Sequence, residues 1–465
     1  MKNILSLFLV VISFISSAQE NKKAEKLSEL FEELYEQESF NGNVLVAEKG
    51  SVIFEKSYGL ANEQTKQKLN KNSIFELASV SKQFTAMAIV LLQKDGKLSY
   101  EDEISKFIPE LTNYKGITIK NLLTHTGGLP DYMELAENNL DKSKIATNSD
   151  IIKLFALLKP EIKFEPNEKW EYSNTGYLIL ASIIEKASDM TFGEYLKKKI
   201  FKPLKMNNTF VYRRRFQPKK IDNYAQGYIY SDSLNKKILP DELGSSYYVV
   251  YLDGIVGDGM VNSNLYDLLK WDRALYKNTL INDYDKNLIF SSYKTKDNSE
   301  TDYGFGWMIN NSREYGKIVS HSGGWAGYIT YIERNLDSDY TIIILQNNST
   351  PKTEIPIKNT RRILNNQDVE KPIILDSSIL RKYAGFYVTE KGTEKEIIFE
   401  NEKLFIPYNP EFKLELIPVS KTKFILDGFS PEVTYTFNLN ENGEVIEYYL
   451  QQIQQDIESK AKRKK

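Results

Sequence analysis

Segments that read as β-strands gather at the two ends of a long stretch, between about residue 25 and residue 365, with helices filling the interval. Residues 43–48 and 52–58 predict two strands joined at Lys49-Gly50 as a hairpin. Residues 303–310, 317–320, 327–334 and 340–346 carry β-branched or aromatic runs separated by turn residues. Helical patterns lie between, clearest over 150–158 and 177–186, with an apolar stretch from Phe84 to Leu92. Residues 22–38 predict an amphipathic helix with Leu27, Leu30, Phe31 and Leu34 on one face, and 355–364 a closing helix. Strands far apart in sequence can share one antiparallel sheet. The reading is therefore an α+β fold with a mainly helical subdomain.

The chain has 465 residues, enough for more than one domain. The composition changes near residue 366. Residues 366–378 read as a linker, and 379–450 as an all-β domain of short strands with turns at Asn401-Glu402, Asp427-Gly428 and Asn442-Gly443. Residues 451–465, ending in the basic run Lys460–Lys465, read as a solvated tail. At the other end, Lys2, an apolar run from Ile4 to Ile15 and Ser16-Ser17-Ala18 predict a secretory signal over 1–18. That run falls short of the ~20 residues a membrane helix needs, so no stable membrane span is expected. Residues 19–365 then form the main domain of an exported protein, periplasmic or extracellular. There is no cysteine, so disulfides play no part.

A net charge of −2 with no basic field gives no reason to expect a nucleic-acid partner. Two histidines and no cysteine make a metal site improbable on ligand chemistry, and no cofactor is expected. Nothing in the pattern sets an oligomeric state.

Ser79-Val80-Ser81-Lys82 opens the apolar stretch that ends at Lys94-Asp95-Gly96. On a helix, positions i and i+3 share a face, so the hydroxyl of Ser79 and the amine of Lys82 can meet. A helix N-terminus favours negative charge developing on such a serine. The spacing by itself is weak: Ser-x-x-Lys occurs six times in the chain. Only at Ser79 does an apolar helix follow; elsewhere the bland reading, a capping or turn serine, suffices.

Two further segments strengthen the case. Tyr172-Ser173-Asn174 offers a phenol that can exchange protons beside a lysine, and an amide that can accept from Lys82 and donate to a substrate carbonyl. His321-Ser322-Gly323-Gly324 follows the expected strand at 317–320, and glycines there allow close approach of a substrate backbone. Both histidines of the chain begin His-x-Gly-Gly, the other at His125. A Ser-His-Asp triad would have to use one of them. Taken singly, each reads as structural.

The ordered set Ser79-x-x-Lys82, Tyr172-x-Asn174 and His321-x-Gly323 resembles the three motifs of the β-lactamase-related serine hydrolases. That family includes class C β-lactamases, DD-carboxypeptidases, D-aminopeptidases and esterases. Leu122–Pro130, Pro203-Leu204-Lys205-Met206 and Tyr303-Gly304-Phe305-Gly306-Trp307 are similar to its supporting stretches. The resemblance implies the β-lactamase/transpeptidase-like fold, and for 379–450 a small appended β-barrel. It implies Ser79 as nucleophile, and Lys82 with Tyr172 as general base. The N–H groups of Ser79 and Gly324 would form the oxyanion hole; Asn174, His321, Ser322 and Gly323 would bind substrate. Histidine at 321, where β-lactamases of this class carry lysine, points toward peptidase and esterase members. Pro166-Asn167 stands where the family has Pro-Gly, which fits if Asn167 is left-handed. The expected function is hydrolysis of an ester, amide or D-amino-acid peptide bond through an acyl-enzyme. The alternatives are a β-lactamase proper, a non-hydrolysing penicillin-binding sensor, or a non-catalytic binder.

Overall fold

The computed structural model describes residues 21–408, 412–427, 433–452 and 457–464. The predicted signal at 1–18 and Gly428 of the expected Asp-Gly turn lie outside the described residues. The chain divides into two compact units. The first runs through Ile309 and resumes over Lys317–Pro356; the second takes Asn310–Gly316 and everything from Ile357 onward.

A six-stranded antiparallel sheet is built as the ends of the stretch predict. β1 (Gly42–Glu48) and β2 (Ser51–Tyr58) form the N-terminal hairpin. β3 (Met308–Ser312), β4 (Gly316–Trp325), β5 (Tyr328–Asn335) and β6 (Tyr340–Gln346) come from the far end. The order across the sheet is β3-β4-β5-β6-β1-β2. β1 lies against β6 in register Gly42↔Gln346 to Glu48↔Tyr340. Val44, Leu45, Val46 and Ile342 to Ile344 are buried there, so the seam is apolar on both faces. The helix over residues 21–36 buries Leu27, Leu30, Phe31 and Leu34, the face its periodicity predicts.

Two expected strands change. The run predicted at 303–310 becomes a regular strand only from Met308, because Gly304 and Gly306 turn the chain, the latter with φ +79°. A Cβ at Gly304 would sit 2.0 Å from the Ile289 carbonyl oxygen, so that approach requires glycine. Conversely, the strand expected to stop at 320 continues through Trp325. His321 to Gly324 therefore lie within β4, paired with β5, rather than beyond its end.

The helical part carries α1 (Lys82–Lys94) and α2 (Asn174–Ser188), both largely buried. Phe84 of α1 packs on Trp271, ring centroids 4.7 Å apart, and the Trp271 indole N–H donates to Gln83 Oε1 at 2.9 Å.

In the second unit, eight antiparallel strands close into a barrel: β7 (Gly385–Thr389), β8 (Glu394–Glu400), β9 (Lys403–Pro407), β10 (Lys413–Pro418), β11 (Lys423–Leu426), β12 (Thr434–Leu439), β13 (Val445–Gln452) and β14 (Ile457–Arg463). Asn401 and Glu402 both take positive φ (49° and 62°), the turn conformation that joins β8 to β9. The expected basic tail is a correction. Lys460 and Lys462 alternate with Ser459 and Ala461 in β14, which pairs with β13 on one side and β7 on the other. Ala461 is buried while Lys460 reaches Glu447 at 2.9 Å, so one face is core and the other charged. The boundary also moves. The helix Ile357–Leu364 groups with the second unit, not with the main domain ending at 365. Glu370 explains this: it pairs with Lys358 and Arg362 of that helix and with Lys423 of β11. The segment 366–378, expected as a linker, thereby falls inside the unit.

Candidate active site

Ser79 lies in a short 3-10 turn, Ala78–Ser81, that runs directly into α1. The turn is held from three sides. Leu77 N–H donates to the Val261 carbonyl at 2.8 Å, Val261 N–H donates to Ser81 Oγ at 3.0 Å, and Thr330 Oγ1 donates to the Leu77 carbonyl at 2.7 Å. Ala78 takes a left-handed backbone, φ +48°, which an L-residue adopts only when its surroundings impose it. Gly323 of β4 presses on this point: a Cβ there would come within 2.3 Å of the Leu77 carbonyl oxygen and 3.2 Å of Ala78 Cβ.

Lys82 is fully buried, and its Nζ makes three contacts: Ser79 Oγ at 3.1 Å, Asn174 Oδ1 at 2.9 Å and the Asp258 carbonyl oxygen at 3.0 Å. Asn174 is the first residue of α2, placed by the Ser173 side chain, which accepts from the Gly176 N–H as N-cap. With Oδ1 turned to Lys82, the Asn174 amide N–H groups remain for another acceptor. The Tyr172 ring flanks the amine, its centroid 4.9 Å from Nζ.

Both histidines sit behind this cluster as neutral rings. His125, itself left-handed at φ +57°, accepts from the Ser173 N–H at Nδ1 (3.1 Å) and packs 4.4 Å from the Tyr172 ring. Burial, with Lys82 nearby, holds its pKa well below the usual histidine range. His321 Nδ1 lies 2.6 Å from the Ser322 carbonyl, which can only accept, so Nδ1 carries the proton. Nε2 is then an acceptor for the Tyr303 hydroxyl at 3.0 Å. Burial, then Lys82, lowers His321 to about 3. The His321 and Tyr172 ring centroids are 6.1 Å apart.

A cavity of about 390 Å³ opens beside Ser79, and Asn174 and Gly324 line it. His321 and Gly323 are buried behind, and the Ser322 side chain alternates outward to solvent. Two short helices, beginning at Tyr132 and at Tyr248, contribute Tyr132, Met133 and Tyr248, with Trp325 and Tyr328 from beside the third motif. Asn167 is left-handed at φ +64°, as its replacement of glycine requires, and its Oδ1 accepts from Asn121 at 2.8 Å.

Two residues here escape a sequence reading. The Asp258 carbonyl holds Lys82, and its partly buried carboxyl accepts from the Tyr132 hydroxyl at 2.9 Å. Burial raises the Asp258 pKa against the pull of Lys82. Glu76, three residues before Ser79, also lines the cavity. Its one available signal was that position; Asp258 had only the flanking Gly257 and Gly259. Among the described residues no cluster of acidic or histidine side chains is arranged to hold a metal, and no helix is long and apolar enough to cross a membrane.

A serine-bearing turn leading into a buried helix, an amine behind it and a glycine-bearing sheet strand alongside define the fold of the β-lactamase/transpeptidase class. The family described as Beta-lactamase matches residues 27–366, and the chain belongs to it. It is 44% identical over 424 residues to Penicillin-binding protein 4* of Bacillus subtilis, covering 89% of this chain and 94% of that one. Among solved structures, the octameric penicillin-binding protein homologue from Pyrococcus abyssi superposes with a TM-score of 0.64 at 23% identity, over 94% of this chain and 99% of that one. The D-amino acid amidase from Ochrobactrum anthropi SV3 follows at 0.60 and 20%, over 75% and 99%. At these identities both likenesses are of fold.

Proposed function

We propose that this protein is an exported serine hydrolase that cleaves an ester, amide or D-amino-acid peptide bond through an acyl-enzyme on Ser79. The carrying observation is the environment of Lys82. Two of its three contacts, Asn174 Oδ1 and the Asp258 carbonyl, can only accept hydrogen. Nζ donates to all three partners; with one proton gone it still satisfies both of these acceptors and turns a lone pair toward Ser79 Oγ at 3.1 Å. In that state Lys82 takes the Ser79 proton as Oγ attacks the acyl carbon. Tyr172, against the amine, passes a proton to the leaving group and later activates water. The N–H groups of Ser79 and Gly324 receive the oxyanion. Asn174 orients the acyl donor, and Gly323 and Ser322 offer it a strand edge. His321, with both ring nitrogens engaged, shapes the site through Tyr303 instead of acting as the base.

Intact-mass analysis after fluorophosphonate treatment tests this reading. One adduct is expected on the wild type and none on Ser79→Ala; labelling of both, or of neither, rejects the nucleophile. Penicillin acylation with slow release is the second reading, favoured by the 44%-identical penicillin-binding relative.

A further inference from the structure

We propose that the Ser79 cavity selects acyl donors bearing a protonated amine, with Glu76 as the anionic partner of that ammonium group. This rests on the hydrolase reading above and adds the substrate class. The cavity lining holds two carboxyls, Glu76 and Asp258, and no lysine, arginine or histidine among the described residues. Glu76 stands on the short strand Phe75–Glu76, paired to Asn262, and is 5% exposed. Among the described residues no hydrogen bond reaches its carboxyl, although buried carboxyls ordinarily have partners.

The neighbouring charges do not supply one. Arg215 gives Nε and Nη2 to Asp241 (2.9 and 3.0 Å) and Nη1 to Asp253 (3.0 Å), and Arg214 also pairs with Asp241. Two arginines are thus matched by two aspartates. Asp258 has Tyr132 and faces Lys82. Glu76 is left over. Tyr132, Tyr248, Trp325 and Tyr328 complete the walls, and aromatic faces attract cations. An anionic donor would meet two acids; a cationic one would meet a carboxyl otherwise unmatched.

Occupancy has a signature. Burial, with Asp253 and Asp258 adding to it and Arg215 and Arg214 opposing, lifts the Glu76 pKa to about 8. The Tyr224 and Tyr328 phenols also face it. With no cation beside it, Glu76 is therefore mostly protonated near neutrality. An entering ammonium group favours the carboxylate, and the displaced proton goes to solvent.

The test is calorimetric titration of Ser79→Ala, which binds without turnover, using D-phenylalaninamide and its N-acetyl derivative at pH 7 in buffers of different ionisation enthalpy. The free amine is expected to bind at least about tenfold tighter, as a charge-assisted contact implies, and to release a proton. Ser79→Ala/Glu76→Gln is expected to lose both effects. Equal affinities, binding of neither compound, binding without proton release, or an undiminished preference in the double variant each overturn the proposal. The amine-versus-acetyl comparison requires no change at Glu76, so it stands even if Glu76→Gln does not fold. Fluorophosphonate labelling of wild-type Ser79 separates failure of this selectivity from failure of the hydrolase reading.

Discussion

At the scale of single residues, the Ser-x-x-Lys spacing acquires meaning from what holds the lysine. On the proposed mechanism Lys82→Ala removes the proton acceptor, and it leaves Asn174 Oδ1 and the Asp258 carbonyl without their bond to Nζ. The expected result is at least a hundredfold slower Ser79 labelling by fluorophosphonate, read by intact mass against time. His321 gives a second prediction with a defined sign. Its ordinary pKa is 6.5 and its folded value about 3, so the unfolded chain binds the proton first as pH falls. Native stability should decline from pH 6.5 toward 3, with a slope up to about 1.4 kcal/mol per pH unit from this residue. Urea unfolding at pH 7 and pH 5 checks it: His321→Asn should show the smaller loss. Ser79, Lys82, Tyr172 and Asn174 are legible in the sequence because the roles proposed for them belong to their side chains and their order is distinctive. Asp258 is not, since it reaches Lys82 through a backbone carbonyl, which no residue type announces. Glu76 escapes because its isolation is a property of Arg215, Asp241 and Asp253, segments remote from it in the chain.

Elements show where reading by propensity succeeds and where it fails. β6 is legible end to end because Tyr340–Gln346 is an uninterrupted β-forming run flanked by turns. β4 is read short because Ser322-Gly323-Gly324 has low strand propensity, yet those glycines are what let the strand continue past the nucleophile turn. The aromatic run from Tyr303 misleads in the opposite sense: Tyr303, Phe305 and Trp307 are buried core, but the glycines between them bend the chain. Gly323→Ala tests the strand's role. Its Cβ would fall 2.3 Å from the Leu77 carbonyl oxygen, so the turn bearing Ser79 has to shift. The expected outcome is at least a tenfold loss in Ser79 labelling, with a lowered melting temperature. Gly324→Ala, where a Cβ meets nothing within 4 Å, is the control for backbone effects alone.

For the whole molecule, the α+β class is legible because strands at both ends need partners. The reading of 451–465 as a tail is not, because lysine-rich composition hides the alternation that buries Ala461. Deleting residues 457–465 should open the barrel along both β13 and β7. Two unpaired edges then promote association, expected as a shift to large species in size-exclusion chromatography. Both units also share a temporal property. β1 must wait for β6, whose residues emerge about three hundred positions later in synthesis, and β7 must wait for β14, about seventy positions later. Neither unit can complete its sheet while its own last strand is still being made. A growing chain therefore carries an open-edged sheet over most of these positions, first the half-built six-stranded sheet and then the half-built barrel, and a factor that shields nascent strands has a target in each in turn.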